Sequence, residues 1–129
     1  MTTYEPGAPL PELRVTPDRY LTYRYAGASG DFNPIHLDDE FARQVGLPGR
    51  ILHGLWTMAQ VARAQTEAAG DPAALASLSV EFRAMGVPEV ELVVSSAVAD
   101  VAEDGTVVVE TEASQGDAAL VRSGRAVLR

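Results

Sequence analysis

The chain changes hydrophobic period once, and that change limits its fold more than any other feature. Residues 53–70, HGLWTMAQVARAQTEAAG, place apolar side chains at helical spacing. Leu55, Met58, Ala59, Ala62 and Ala69 form one stripe, and Trp56, Val61, Ala64 and Ala68 widen it. Gly70, followed by Asp-Pro, ends the segment. From residue 77 onward the period is two. SLSVEFR (77–83) sets Leu78, Val80 and Phe82 against Ser77, Ser79, Glu81 and Arg83, and segments at 90–101, 105–114 and 119–129 continue as strands. The intervening AEDG and QGD are hairpin signals. One long alanine-rich helix followed by antiparallel strands predicts an α+β fold, with a curved sheet wrapped around the helix. Gly124, inside the last strand, predicts a bulge or a close backbone approach.

Ahead of the helix the pattern is less regular. Prolines 6, 9, 11 and 17 predict an extended arm over residues 1–19, neither helix nor central strand. RYLTYRYAG (19–27) fits a short strand or a helical turn, and its period does not choose. DDEFARQV (38–45) opens with acids and stops before Gly46 and Pro48, which predicts a short helix. With 129 residues, 47% of them hydrophobic, and neither internal repeat nor linker, a single domain over 1–129 is expected.

Composition narrows the function. No apolar run reaches the roughly 18–20 residues of a membrane span, and the N-terminus lacks a basic and apolar leader, so a soluble cytoplasmic protein with no membrane partner is expected. There is no cysteine, which removes thiolate nucleophiles and cysteine-ligated zinc. All ten basic residues are arginine, so Schiff-base chemistry on lysine is excluded. The net charge of −8, with no arginine cluster, argues against a nucleic-acid partner.

The chemistry-bearing stretch is GDFNPIH, residues 30–36. Positions five apart sit roughly 140° from each other on a helix and face opposite sides of a strand, so only an irregular turn brings Asp31 and His36 together. Pro34 supplies such a turn by fixing its own φ and keeping Asn33 out of the helical region. Taken locally, the same residues also describe an ordinary turn. His53, ahead of Gly54, reads as a helix-terminal residue with a structural hydrogen bond and stays off the catalytic set. A metal site on His36, His53 and nearby acids lacks a paired spacing such as H-x-x-x-H and is set aside. A triad of Ser29, His36 and Asp31 has no nucleophile elbow around the serine.

The longer stretch YAGASGDFNPIHLDDEFARQVGLPGRILHG resembles the signature of the MaoC-like hydratase family, the (R)-specific enoyl-thioester hydratases and dehydratases. The resemblance runs without a gap from about Tyr25 to Ala64, and the order of the strands agrees with the hot dog fold of that family. It implies that Asp31 and His36 are the catalytic pair, that Asn33 and Ser29 support the turn, and that the backbone N–H of Gly54 holds the thioester carbonyl. It implies no cofactor or metal. Apolar residues such as Leu55 and Trp56 are then expected near the acyl chain. The substrate is expected to be a thioester of coenzyme A or of an acyl carrier protein. FRAMGVPEVEL (82–92) departs from the family, with Met85-Gly86 where a proline is usual and Pro88-Glu89 where Gly-Asp is usual.

A lone hot dog unit leaves a sheet edge uncovered, so a homodimer or a heterodimer with another hot dog subunit is expected. The leading activity is reversible hydration of trans-2-enoyl thioesters. Two alternatives are a non-catalytic hot dog subunit of a heteromeric dehydratase and an acyl thioesterase.

Overall fold

The computed structural model describes residues 4–129, so residues 1–3 of the expected arm lie outside the described residues. The arm runs extended. It bridges Ala97 at Pro9 and then forms the edge strand β1 (Leu13–Val15). Helix α1 (Leu21–Ser29) resolves the strand-or-turn ambiguity in favour of a helix of nine residues. A 3₁₀ turn (Pro34–His36) leads to α2 (Asp39–Gln44), where the Asp38 side chain accepts from the N–H groups of Glu40 and Phe41.

The long helix, α3, spans Gly54–Ala69 and ends on Gly70 at φ 70°. A second 3₁₀ turn (Pro72–Ala74) feeds β2 (Leu75–Phe82), followed by β3 (Leu92–Val101), β4 (Val107–Gln115) and β5 (Ala118–Leu128). The five strands form one antiparallel sheet in the order β1-β3-β4-β5-β2. No helix among the described residues is long and apolar enough to cross a membrane.

The face of α3 differs from the expected stripe. Trp56, Thr57, Val61, Ala64 and Gln65 are buried against the sheet, while Leu55 is 64% exposed. Small apolar residues surround most of this helix, so its pattern did not single out one side. The sheet's own requirements decide, and they admit two polar residues, Thr57 and Gln65.

Those requirements are visible in the core, which has two apolar clusters. One gathers Leu52, Trp56, Val61, Leu92, Val94, Ala113 and Leu120. The other gathers Leu10, Val98, Val107, Val109, Ala126 and Leu128. Between them lies a polar seam. Ser96 falls between Val94 and Val98 on the inward side of β3, and Thr111 between Val109 and Ala113 on β4. Ser96 Oγ donates to Thr111 Oγ1 at 2.9 Å, and Gln65 Nε2 reaches Ser96 Oγ at 3.0 Å.

Gly124 meets both halves of its expectation. β5 gains a residue between its pairings Thr111↔Gly124 and Ala113↔Val121, and a Cβ at 124 would fall 2.5 Å from the Thr111 carbonyl oxygen.

Candidate active site

Three short side-chain-to-backbone links shape the turn after α1. Ser29 Oγ accepts from Asp31 N, Asp31 Oδ1 accepts from Asn33 N, and Asn33 Oδ1 accepts from Ile35 N, each at 3.2 Å. Each link spans two residues and competes with helical bonding, so the chain leaves the helix at Gly30 and re-forms one 3₁₀ turn after Pro34. This irregular path brings Asp31 and His36 onto one target.

His36 is buried, and its Nδ1 donates to the Ile51 carbonyl at 2.8 Å. A carbonyl only accepts, so Nδ1 carries the hydrogen and Nε2 of the neutral ring presents a bare lone pair. That Nε2 lies 3.7 Å from Asp31 Oδ2, whose side chain is 53% exposed. Two acceptors at this separation do not bond each other directly. Their geometry fits one water molecule donating a hydrogen to each.

His53 closes the arrangement from the other side. Its ring stacks on His36 with centroids 3.8 Å apart and 19° between planes, and its Nε2 donates to the Asp31 carbonyl at 3.0 Å. Tyr25 sets a tilted ring against His53, with centroids 4.7 Å apart. Sequence spacing had set the two histidines apart, yet the ligand-type atoms of Asp31, His36 and His53 lie within 4.8 Å of one another. His53 Nε2 already donates to the Asp31 carbonyl, so within this group only its Nδ1 is left to join Asp31 and His36 Nε2 around an ion.

The segment before α3 is pinned on two sides. Ile51 N donates to the Ile35 carbonyl at 3.0 Å while Ile51 O receives His36. Asp39 accepts from Arg50 N at 2.8 Å and from Arg50 Nη1 at 2.7 Å. The Arg50 N–H, reinforced by the guanidinium charge, holds the Asp39 carboxyl below its ordinary pKa. The guanidinium also donates to the Arg19 carbonyl and lies 5.2 Å from the Tyr23 ring centroid.

Beside His36 lies a cavity of about 220 Å³ lined by Ile35, His36, Ile51, Leu52, Gly54, Thr57, Phe82, Ala84, Met85, Gly86 and Leu120. Gly54 is the first residue of α3, whose N-terminus no side chain caps; Trp56 N and Thr57 N bond the His53 carbonyl, so the N–H of Gly54 is the one that faces a ligand oxygen at the cavity. Phe82 packs over Gly54, 3.4 Å from where a Cβ would stand. Gln115 secures the wall. Its amide accepts from Val87 N and donates to the carbonyls of Val87 and Val90, all at 2.9 Å.

Of the residues singled out in the sequence, His36 and Gly54 line the cavity and Asp31 stands beside His36. Asn33 and Ser29 bond the turn. Leu55 points away from the sheet, Trp56 belongs to the core, and Thr57 is the residue of that turn that reaches the cavity. His53 makes the structural hydrogen bond expected of it, while sequence reasoning missed its stack on His36 and missed Phe82 and Gln115 as neighbours of the site. A larger groove of about 640 Å³ on the outer face of the sheet is lined by Ser95, Glu110, Glu112 and Arg125 among others. It shares no residue with the Asp31–His36 site.

The family model described as "MaoC like domain" matches residues 5–118. Peroxisomal enoyl-CoA hydratase 2 of Arabidopsis thaliana is 42% identical over 73 residues, which is 55% of this chain and 23% of that protein. Enoyl-CoA hydratase ChsH3 of Mycobacterium tuberculosis is 36% identical over 121 residues, 88% of this chain and 40% of the relative. The chain thus spans less than half the length of both relatives. Among solved structures, an (R)-hydratase from A. caviae involved in PHA biosynthesis superposes with a TM-score of 0.87 at 23% identity, covering 100% of this chain and 98% of that one. The architecture is the hot dog fold.

Proposed function

The chain belongs to the MaoC-like domain family, and from that premise and its Asp31–His36 geometry we propose that it hydrates trans-2-enoyl thioesters reversibly to (R)-3-hydroxyacyl thioesters. The observation that carries the reading is the fixed tautomer of His36. With Nδ1 donating to the Ile51 carbonyl, the Nε2 of the neutral ring stands 3.7 Å from Asp31 Oδ2, close enough for one water to bond both, beside the uncapped N-terminus of α3.

The steps follow from these groups. A water shared by Asp31 and His36 loses a proton to the pair as its oxygen bonds C3 of the enoyl group. The π electrons move toward C2 and the carbonyl, and the developing enolate oxygen is met by the Gly54 N–H and the helix dipole. Re-forming the carbonyl drives C2 to take up the proton held by the pair, so one water supplies both the hydroxyl and the new hydrogen. Glycine at 54 lets the thioester approach the main chain. The carrier is coenzyme A or an acyl carrier protein.

Assembly belongs to the same proposal. β2 pairs only with β5, most of its residues are exposed, and Phe82 (51%) and Met85 (60%) line the cavity while remaining open to solvent. A second hot dog unit, identical or related, covers this edge, and the acyl chain enters along the boundary.

Crotonyl-CoA tests the reading. Conjugated enoyl absorbance is expected to fall with no release of free thiol. Thiol release instead indicates a thioesterase, and silence in both signals across several chain lengths indicates a subunit that serves a catalytic partner. Asp31→Asn and His36→Ala are each expected to lower kcat by about 10²–10⁴. Retention of half the turnover by either folded variant overturns the assignment.

A further inference from the structure

The proposed chemistry uses Asp31, His36 and the N–H of Gly54, and one residue touches all three without a role in it. His53 is 3% exposed, and its position immediately before α3 would normally be used to cap the helix. It does not do so. No side chain caps α3, and the His53 Nε2–H goes instead to the carbonyl of Asp31.

We propose that His53 is a positioning residue of this site, holding the Asp31 main chain through Nε2–H and the plane of the His36 ring through its face. The inference rests on the hydration reading above. Two constraints on His36 are complementary: Ile51 O fixes its ring edge in the plane, and the stack at 3.8 Å and 19° opposes rotation out of it. Asp31 has the greater need of help, because its turn is otherwise held by links of 3.2 Å to neighbouring residues and its side chain is half in solvent. The third link is covalent. The N–H of Gly54 belongs to the peptide bond that His53 begins, so a shift of His53 displaces the donor, the carboxylate and the imidazole together. Misplacement of about 1 Å at such a site costs on the order of 10²-fold in rate.

The test separates the two contacts. With crotonyl-CoA, His53→Ala, which loses both, is expected to lower kcat about 10²-fold with KM changed by less than about threefold. His53→Phe keeps a ring face and His53→Gln keeps a donor, and each is expected to recover part of the loss. In an Asp31→Asn background the further loss from His53→Ala is expected to be smaller than in the wild type, because the carboxylate it positions is gone while its hold on the His36 ring remains. Thermal unfolding of every variant reports folding independently. If His53→Ala does not fold, the Phe and Gln variants carry the test. A wild-type chain that hydrates while folded His53 variants keep at least half of kcat overturns this inference alone. The same holds if the loss is equal in both backgrounds, which marks general loosening. A folded wild-type chain inert towards every enoyl thioester overturns the hydration reading, and this inference with it.

Discussion

A proton taken up by His36 has one place to go. Nδ1 is already protonated and tied to the Ile51 carbonyl, so Nε2 is the single exchange point and whatever it accepts returns to the same side of the ring. The carboxylate–imidazole pair itself was legible, because Pro34 and Asn33 announce a turn and the surrounding stretch resembles a known signature. The structural hydrogen bond of His53 was legible, but its stack on His36 was not. His53 meets His36 only after α2 and the loop behind it fold back, and nothing in local spacing encodes that return. Asp39 and Arg50 hold the loop in place, and Asp39→Ala is expected to cost about 1 kcal/mol in urea unfolding, since the carboxylate is 41% exposed. The pH dependence has a definite sign. The folded carboxyl binds protons more weakly than the unfolded one, so its contribution is complete above the ordinary carboxylate range, near pH 4, and disappears as pH falls through the lowered folded value. Acid titration of Asp39→Ala against the wild type is therefore expected to show a difference in stability that narrows below pH ~4.

Elements were easier to read than their faces. Alternation placed β2 to β5 within about two residues of their observed ends, because one side of each strand is covered and the other wet. Helix α3 was legible as a helix, with its end at Gly70, but its buried side was not, since alanine satisfies either environment. Gln115 likewise looks like a turn residue in the sequence. Only the fold shows it fastening residues 87 and 90 behind the cavity. Gly124 carried a readable warning. Gly124→Ala drives a Cβ against the rigid main chain of β4, and a loss of about 1–3 kcal/mol is expected in chemical denaturation.

At the scale of the molecule, the β2 edge and the exposed Phe82, Met85 and Leu55 are the surface that the proposed second unit covers. Native mass spectrometry is expected to give at least twice the chain mass of 13.7 kDa, and Phe82→Glu is expected to shift the population towards the single chain. An active wild-type monomer contradicts this. The sequence contained the need for a partner only indirectly, through a fold that leaves an edge free, and held no sign of which partner fills it.

The seam of Gln65, Ser96 and Thr111 divides the labour of the interior. Leu52 and Leu120 on one side line the cavity beside His36, whereas Val98, Val107 and Leu128 on the other close the distal end. None of these three lines the cavity, so truncating them is expected to lower heat tolerance while the walls beside His36 keep their shape.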